Sequence, residues 1–193
     1  IFEAEGQGVF RGFANELKSG TLVTDCVAYG FAMDDACELY GFVGTAGSGS
    51  MILGSIAAVL PPASAAKCAG FAEAILSGAR VEDCYSVYGP KVAATESDTV
   101  NGVQGGFARS VAANPIRRCF ALWPLPGSNS GDHKGYGSFS GVGDDGRYED
   151  CYRPSESAIW SVNNFEREGI GQRTAAQFAN ATSETFPGLD FTD

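Results

Sequence analysis

The sequence feature that most constrains this chain is an internal repeat. Residues 12–26 (GFANELKSGTLVTDC) and residues 70–84 (GFAEAILSGARVEDC) align without a gap and are identical at eight of fifteen positions. A third copy begins at Gly106 and reaches Cys119 one residue early, and a partial fourth copy surrounds Cys151. A repeated unit with one apolar face must pack on a neighbouring unit, so the repeat predicts stacked, similar modules.

The spacing of apolar residues within the repeat predicts helices. Phe13 and Leu17 are four residues apart, as is the equivalent pair in the second copy, which places each pair on one face of a helix. Ser-Gly follows in both copies, and glycine suits the left-handed position after a helix end. Asp25 and Asp83 then cap a second helix that carries a cysteine in its first turn. We therefore predict a mainly α fold of repeated helix–turn–helix units, with long irregular loops and little sheet.

Further helices are predicted on either side of a glycine-rich stretch. Apolar spacing favours helices at 25–40, 155–167 and 172–180. Glycine, serine and aspartate are frequent in the stretch that ends at residue 146, which favours a loop. The predicted organisation is a repeat-containing helical region at 1–123, a glycine-rich loop or boundary at 124–146 and a C-terminal helical region at 147–193.

Charge and hydropathy narrow the range of partners. The net charge is −10 and the pI is near 4.5, so the chain is repelled by nucleic-acid phosphates, and anionic membrane surfaces are disfavoured. The apolar run 51–60 is shorter than the ~20 residues that a membrane-spanning helix needs. We predict that this run is a buried core segment, with a short helix that contacts a membrane complex as the alternative.

The cysteines leave three interpretations open. The chain has no C-x-x-C pair and a single histidine, which disfavours structural zinc. Disulfides in an oxidising compartment, free buried thiols and covalent attachment of a prosthetic group all remain. The six residues are Cys26, Cys37, Cys68, Cys84, Cys119 and Cys151.

The repeated cysteine resembles an attachment pattern in one known family. The chain resembles the gamma-type linker subunits of algal phycoerythrin in its repeat and in the sequences around three cysteines: Asp25-Cys26, Asp83-Cys84 and Arg118-Cys119-Phe120. Those plastid antenna proteins carry bilins on cysteines by thioether bonds and join parts of the antenna. The resemblance implies a linker in a photosynthetic light-harvesting complex, associated with the thylakoid of an algal plastid. It also implies a bilin or chlorophyll-type pigment on Cys26, Cys84 and Cys119.

No catalytic motif is recognisable in the sequence. His133, the only histidine, lies in a glycine-rich stretch, and the nucleophile elbow G-x-S-x-G does not occur. Residues 141–146 match G-x-G-x-x-G, but two aspartates in the motif would repel a pyrophosphate. The acidic residues at 144–150 favour a solvated loop, with a Ca²⁺ site as the alternative.

Together these observations predict a non-catalytic accessory or linker subunit that works by contact with a larger protein assembly. The alternative is a secreted, disulfide-stabilised domain, whether an enzyme, an effector or a carbohydrate- or Ca²⁺-binding module. The glycosylation sequon Asn180-Ala181-Thr182 is compatible with that alternative.

Overall fold

The described residues form a parallel β-solenoid in which five successive coils each contribute four short strands. The computed structural model describes residues 2–4, 8–32, 38–60, 67–87, 104–112, 114–122, 136–142, 147–156, 166–182 and 184–186. Equivalent strands of successive coils pair in register, so four parallel sheets run along the solenoid axis.

The strands are short, and each coil repeats the same order. Among the described residues, one strand precedes the first coil: β1 (Phe2–Ala4). Coil 1 holds β2 (Val9–Arg11), β3 (Ala14–Leu17), β4 (Leu22–Thr24) and β5 (Val27–Ala32). Coil 2 holds β6 (Glu38–Tyr40), β7 (Val43–Ala46), β8 (Met51–Leu53) and β9 (Ile56–Leu60). Coil 3 holds β10 (Lys67–Ala69), β11 (Ala72–Ile75), β12 (Arg80–Glu82) and β13 (Tyr85–Ser86).

The last two coils are followed by one strand and one helix. Coil 4 holds β14 (Gln104–Gly105), β15 (Ala108–Val111), β16 (Pro115–Arg117) and β17 (Phe120–Ala121). Coil 5 holds β18 (Tyr136–Gly137), β19 (Ser140–Val142), β20 (Arg147–Glu149) and β21 (Cys151–Pro154). The chain continues with β22 (Ile170–Arg173) and α1 (Ala175–Ala179).

We number the sheets by the position of their strands in the coil. Sheet 1 has the order β18-β14-β10-β6-β2, and sheet 2 has the order β19-β15-β11-β7-β3. Sheet 3 has the order β20-β16-β12-β8-β4, and sheet 4 has the order β1-β5-β9-β13-β17-β21-β22. The prediction of a mainly α fold is therefore wrong: among the described residues, the one helix has five residues.

Stacked phenylalanine rings fill the corner between sheets 1 and 2. Phe13, Phe42, Phe71, Phe107 and Phe139 stack along the axis with ring centroids 4.8, 4.8, 4.7 and 5.0 Å apart. This spacing matches the distance of about 4.8 Å between hydrogen-bonded strands, so one ring per coil forms a continuous column. Phe13 lies at this corner and Leu17 lies at the end of β3 with its side chain pointing inward. Their four-residue spacing therefore does not reflect a helix.

The glycine before each phenylalanine is required by close backbone contact. A Cβ atom on Gly41 would lie 1.9 Å from the carbonyl oxygen of Gly70, and one on Gly106 would lie 2.0 Å from that of Ser138. The same glycines also approach sheet 4, since a Cβ on Gly41 would lie 3.1 Å from the Cβ of Ala57. Ser138 occupies this position in the last coil, and in the described part of the chain no strand of sheet 1 follows it.

The turns predicted as helix ends and caps are corners of the coil. Gly20 and Gly78 have φ of 79° and 86°, which confirms the left-handed position, but they join strands of sheets 2 and 3. Asp25 and Asp83 have φ of 53° and 55° at the corner between sheets 3 and 4. Because an N-cap residue has extended backbone, the predicted helix caps are wrong.

An asparagine side chain explains the copy that is one residue short. Gly20 N–H donates to Gly49 O and Gly49 N–H donates to Gly78 O, which links the turns of coils 1–3. In coil 4 the turn is shorter, and Asn114 Oδ1 accepts the hydrogen bond from Gly78 N–H at 2.5 Å. The Asn114 amide also donates to Leu76 O. The side chain thus replaces the backbone of the missing residue.

The structural repeat is one coil. The alignment of residues 12–26 with residues 70–84 compares coil 1 with coil 3 and skips coil 2. Glu38 and Lys67, which begin equivalent strands of coils 2 and 3, are 29 residues apart. Later coils are longer because the connections from sheet 4 to sheet 1 are longer, between β13 and β14 and between β17 and β18. Strands β18 and β19 lie within the stretch 124–146 that the sequence marks as a loop or boundary.

The other helical predictions have mixed outcomes. The segment 51–60 forms β8 and β9, with Ile52, Ala57 and Val59 buried and the alternate side chains facing outward. The 172–180 prediction is partly confirmed by α1, whose capping box pairs Thr174 with Gln177. The 25–40 prediction is wrong because β5 and β6 lie there. Most of 155–167 lies outside the described residues.

The close approach at Gly41 yields a stability prediction. We expect Gly41→Ala to lower the free energy of unfolding by about 3 kcal/mol, because the new methyl group meets backbone that cannot move independently. Urea unfolding followed by circular dichroism measures the change. Gly8→Ala is the control: its Cβ would meet only the Phe10 ring at 3.8 Å, so a similar loss in both variants would contradict the explanation.

Candidate binding surface

The predicted site residues Cys26, Cys84 and Cys119 come together in one column. They follow the corner between sheets 3 and 4 in coils 1, 3 and 4, and Cys151 holds the same position in coil 5. Ser55 takes this position in coil 2, and its hydroxyl accepts from Cys26 N–H at 3.3 Å. The column belongs to the same buried cluster as the phenylalanine rings.

Buried thiols in this column interact with neighbouring backbone carbonyls. Cys84 Sγ lies 3.1 Å from Glu82 O and 3.6 Å from Ile52 O in the preceding coil. Cys119 Sγ lies 3.2 Å from Arg117 O and 3.7 Å from Val81 O. Burial raises the pKa of the Cys119 thiol well above its ordinary value and that of Cys151 to about 12.

The expectation of a disulfide framework is wrong for the five cysteines that the structure describes, none of which forms a disulfide; Cys37 lies outside the described residues. Cys84 and Cys119 have 0% exposure. A pigment on either sulfur would therefore need the coil to open. Cys26, in the first coil, is only partly buried.

The difference in burial yields a reactivity prediction. In the native protein, iodoacetamide should alkylate Cys26 at least tenfold faster than Cys84, Cys119 or Cys151, because the reagent reaches a partly buried sulfur far more readily than a fully buried one. Peptide mass spectrometry measures the rates, and urea should make the four thiols equally reactive. Equal alkylation in the native state would contradict the buried column.

The structure does not place the other candidate residues from the sequence in a functional site. His133 and residues 143–146 lie outside the described residues, as does most of the G-x-G-x-x-G match. Glu149, from the acidic stretch, is paired with Arg117 at 2.7 Å. In the described ranges, no cluster of three or more histidine, cysteine or acidic residues has the geometry to hold a metal ion.

The outer surface of sheets 3 and 4 is mostly apolar in coils 1 and 2, with exposed Thr24 and the corner residue Asp25 as polar exceptions. We call this surface the apolar face. The described outward side chains of β4, β5, β8 and β9 carry no charge, and Leu22, Val27 and Tyr29 are 55%, 61% and 54% exposed. The apolar face consists of Leu22, Val27, Tyr29, Met51, Leu53, Ile56, Ala58 and Leu60.

In coils 3–5 the outer surface of sheet 3 is charged. Glu82, whose side chain is 5% exposed, accepts two hydrogen bonds of 2.8 Å from Arg80. Arg117 and Arg118 each lie 3.3 Å from the same carboxylate. Arg118 also pairs with Asp83 at 2.6 Å. The hydrogen bonds from Arg80, assisted by Arg117 and the charge of Arg118, hold the pKa of Glu82 at about 2.

In coils 4 and 5 the outer surface of sheet 4 is covered by the chain itself, and Tyr85 of coil 3 is partly buried beside it. Tyr85, Phe120 and Tyr152 stack outward with centroids 5.0 and 5.6 Å apart. Phe186 packs edge-on against Tyr152 at 4.9 Å and Phe178 against Phe120 at 6.2 Å. The C-terminal segment therefore buries the outward aromatic residues of sheet 4 in coils 4 and 5, whereas Val27 and Tyr29 of the same sheet are exposed in coil 1.

The Glu82 ion network yields a pH prediction. We expect Glu82→Gln to lower the free energy of unfolding at pH 7 by on the order of 1 kcal/mol. The lowered pKa stabilises the fold above the ordinary glutamate value, so this difference should shrink as the pH falls from about 4.5 towards 2. Urea titrations at several pH values measure it. Glu149→Gln, at a 51% exposed side chain, is the control with the smaller expected effect.

Sequence reasoning missed the apolar face because its members come from different coils. Leu22 and Met51 are neighbours in sheet 3, and Val27 and Ile56 are neighbours in sheet 4, although a full coil separates each pair along the chain. The length of one coil is the sequence signal that identifies these columns.

Comparison with protein-family models, curated proteins and solved structures finds no match to this chain. The resemblance to phycoerythrin linkers therefore stays untested. Nothing in the fold or the comparisons supports a photosynthetic or plastid role. Within the described part of the chain, no helix has the length and hydrophobicity to cross a membrane.

Proposed function

We propose that this chain is a non-catalytic contact protein that binds a protein partner through the apolar face. The observation that carries the proposal is that the described outward side chains of both sheets in coils 1 and 2 are uncharged and mostly apolar, on either side of a corner that carries Asp25. Contiguous exposed apolar patches on a stable scaffold are typical of interaction sites, whereas single exposed apolar residues are not.

The rest of the same two sheets supports this interpretation. In coils 3–5 sheet 3 carries the ion network around Glu82, and in coils 4 and 5 sheet 4 is covered by Phe178 and Phe186. In these coils the described outer surface is thus either charged or shielded by the chain itself, unlike the apolar face. A partner that contributes apolar and aromatic side chains would complete the cover that the C-terminal segment begins.

Substitution on the apolar face tests the proposal. Leu22→Lys and Tyr29→Lys should each weaken binding to a purified native partner at least tenfold, because an ammonium group would be buried against apolar surface. Leu76→Lys is the matched control, since Leu76 is 43% exposed but lies outside the apolar face. Partners are first captured from an extract of the source organism on the immobilised wild-type chain.

Binding of the purified partner is then measured by isothermal titration calorimetry, with circular dichroism to verify that each variant is folded. Equal affinity for wild type, Leu22→Lys and Tyr29→Lys would refute the role of the apolar face. Loss of affinity in Leu76→Lys alone would place the interface elsewhere.

A further inference from the structure

The C-terminal segment packs on the outside of the solenoid and contributes nothing to its core. Phe120, Tyr152 and Phe186 form a buried cluster of their own, with Phe178 and Tyr85 packed against it. The core cluster of the solenoid contains no residue from this segment. We call residues 174–182 and 184–186 the strap, and we call the outward rings of Tyr85, Phe120 and Tyr152 the aromatic strip. The solenoid therefore completes its core without the strap.

The strap is attached to the aromatic strip by a small number of side chains. Phe186 is 1% exposed, whereas the helix of the strap, α1, contains no buried residue. Phe178 is partly buried and meets Phe120 edge-on at 6.2 Å. Arg173, immediately before the strap, lies 4.5 Å from the ring centroid of Tyr152 and 5.4 Å from that of Phe186. Two phenylalanines are thus the apolar anchors of the strap.

The backbone of the strap is not part of the sheet beneath it. In the described part of the chain, its backbone–backbone hydrogen bonds stay within the strap, as from Phe178 N–H to Thr174 O at 3.0 Å. Side chains make its other backbone contacts: Ala175 N–H donates to Glu156 Oε1 at 3.1 Å, and Arg173 Nε donates to a carbonyl of the strap. The strap can therefore leave the aromatic strip without breaking any strand pairing of the solenoid.

The aromatic strip and the apolar face belong to one column of sheet 4. Val27 pairs with Ile56, and Ile56 pairs with Tyr85. Tyr85 pairs with Phe120, which pairs with Tyr152. Each coil thus adds one outward apolar residue to a continuous stripe. The strap covers the stripe in coils 4 and 5, whereas Val27 in coil 1 is 61% exposed.

The size of the apolar face requires a partner to extend beyond it. A stable protein–protein interface takes about 20–30 residues from each side, and the apolar face offers fewer than half that number. Beyond coil 2 the outer surface of sheet 3 carries the ion pair of Arg80 and Glu82. Within the described residues, apolar surface continues along the axis only in sheet 4, from Ile56 to Tyr85 and then beneath the strap.

We propose that the strap is a releasable cover that competes with the partner of the apolar face. The proposal rests on the proposed function, since it concerns the same partner. The closed strap leaves the partner only the apolar face. When the strap is displaced, the partner binds the whole stripe from Val27 to Tyr152 and presents apolar or aromatic side chains in place of Phe178 and Phe186. A closed state that excludes the full contact lowers the apparent affinity, so loosening the strap should strengthen binding.

The first part of the test examines the aromatic strip without the partner. A fluorescently labelled peptide of residues 173–186 is titrated with the full chain, and fluorescence anisotropy measures its affinity. Phe186→Ser should bind the peptide at least tenfold more tightly than wild type, in which the strip is occupied. Ala179→Ser, at an exposed residue of α1, is the matched control and should behave as wild type. A peptide with serine in place of both phenylalanines should not bind.

The second part measures the purified partner by isothermal titration calorimetry. Phe186→Ser should bind the partner at least tenfold more tightly than wild type, and the partner should release the labelled peptide from this variant. Circular dichroism verifies folding, and Phe178→Ser, which loosens the other anchor, replaces Phe186→Ser if that variant is unfolded.

Two results would overturn the proposal. One is a loosened variant that binds the peptide no better than wild type does. The other is an equal or weaker affinity of that variant for the partner. Failure of the proposed function is seen separately, as unchanged partner affinity in Leu22→Lys. Because Leu22 lies outside the aromatic strip, Leu22→Lys combined with Phe186→Ser should still bind the peptide.

Discussion

In-register stacking of equivalent residues is the constraint on which the rest of this structure depends. Each residue of coils 2–4 lies between its counterparts about 4.8 Å above and below, so the side chain at one position restricts those at the neighbouring positions. The inward columns are consequently uniform: phenylalanine at one corner, cysteine or serine at another. Backbone shape is also copied, since Asp25, Asp83, Arg118 and Asp150 share a positive φ.

Uniform inward columns explain which parts of the fold the sequence predicts. The stacked architecture, the left-handed Gly20 and Gly78 and part of the C-terminal helix follow from the residues alone. Coil 2 is not recognisable as a copy of the repeat in the sequence, because Gly54-Ser55 replaces the Asp-Cys pair of coils 1 and 3. When coil 2 is not recognised as a copy, the repeat appears to be two coils long. A repeat unit of that length favours a pair of helices over a single coil of short strands. The true period, at which Lys67 follows Glu38 after 29 residues, indicates one turn of a solenoid directly.

The outward columns cannot be predicted from the sequence, for a different physical reason. An outward residue does not need to match its counterpart, so the columns show no repeat: Leu22 and Met51 precede Arg80 in the same register. The carboxylate of Glu82 meets Arg117 and Arg118 from 35 and 36 residues away. Ion pairs between residues this far apart in the sequence can be predicted only when the pairing of the strands is known. The same freedom lets the outer surface vary along the axis.

Variation along the axis gives the solenoid a direction. In coils 4 and 5 the chain shields sheet 4 itself, with β22 beside β21 and the aromatic residues of the final segment on the outside. In coil 1 the outer side chains of the same sheet, Val27 and Tyr29, are exposed. The charged residues of coil 1, among them the exposed Glu16 and Lys18, lie on other parts of the coil. This difference along one sheet is why the apolar face is the surface that we propose for a partner.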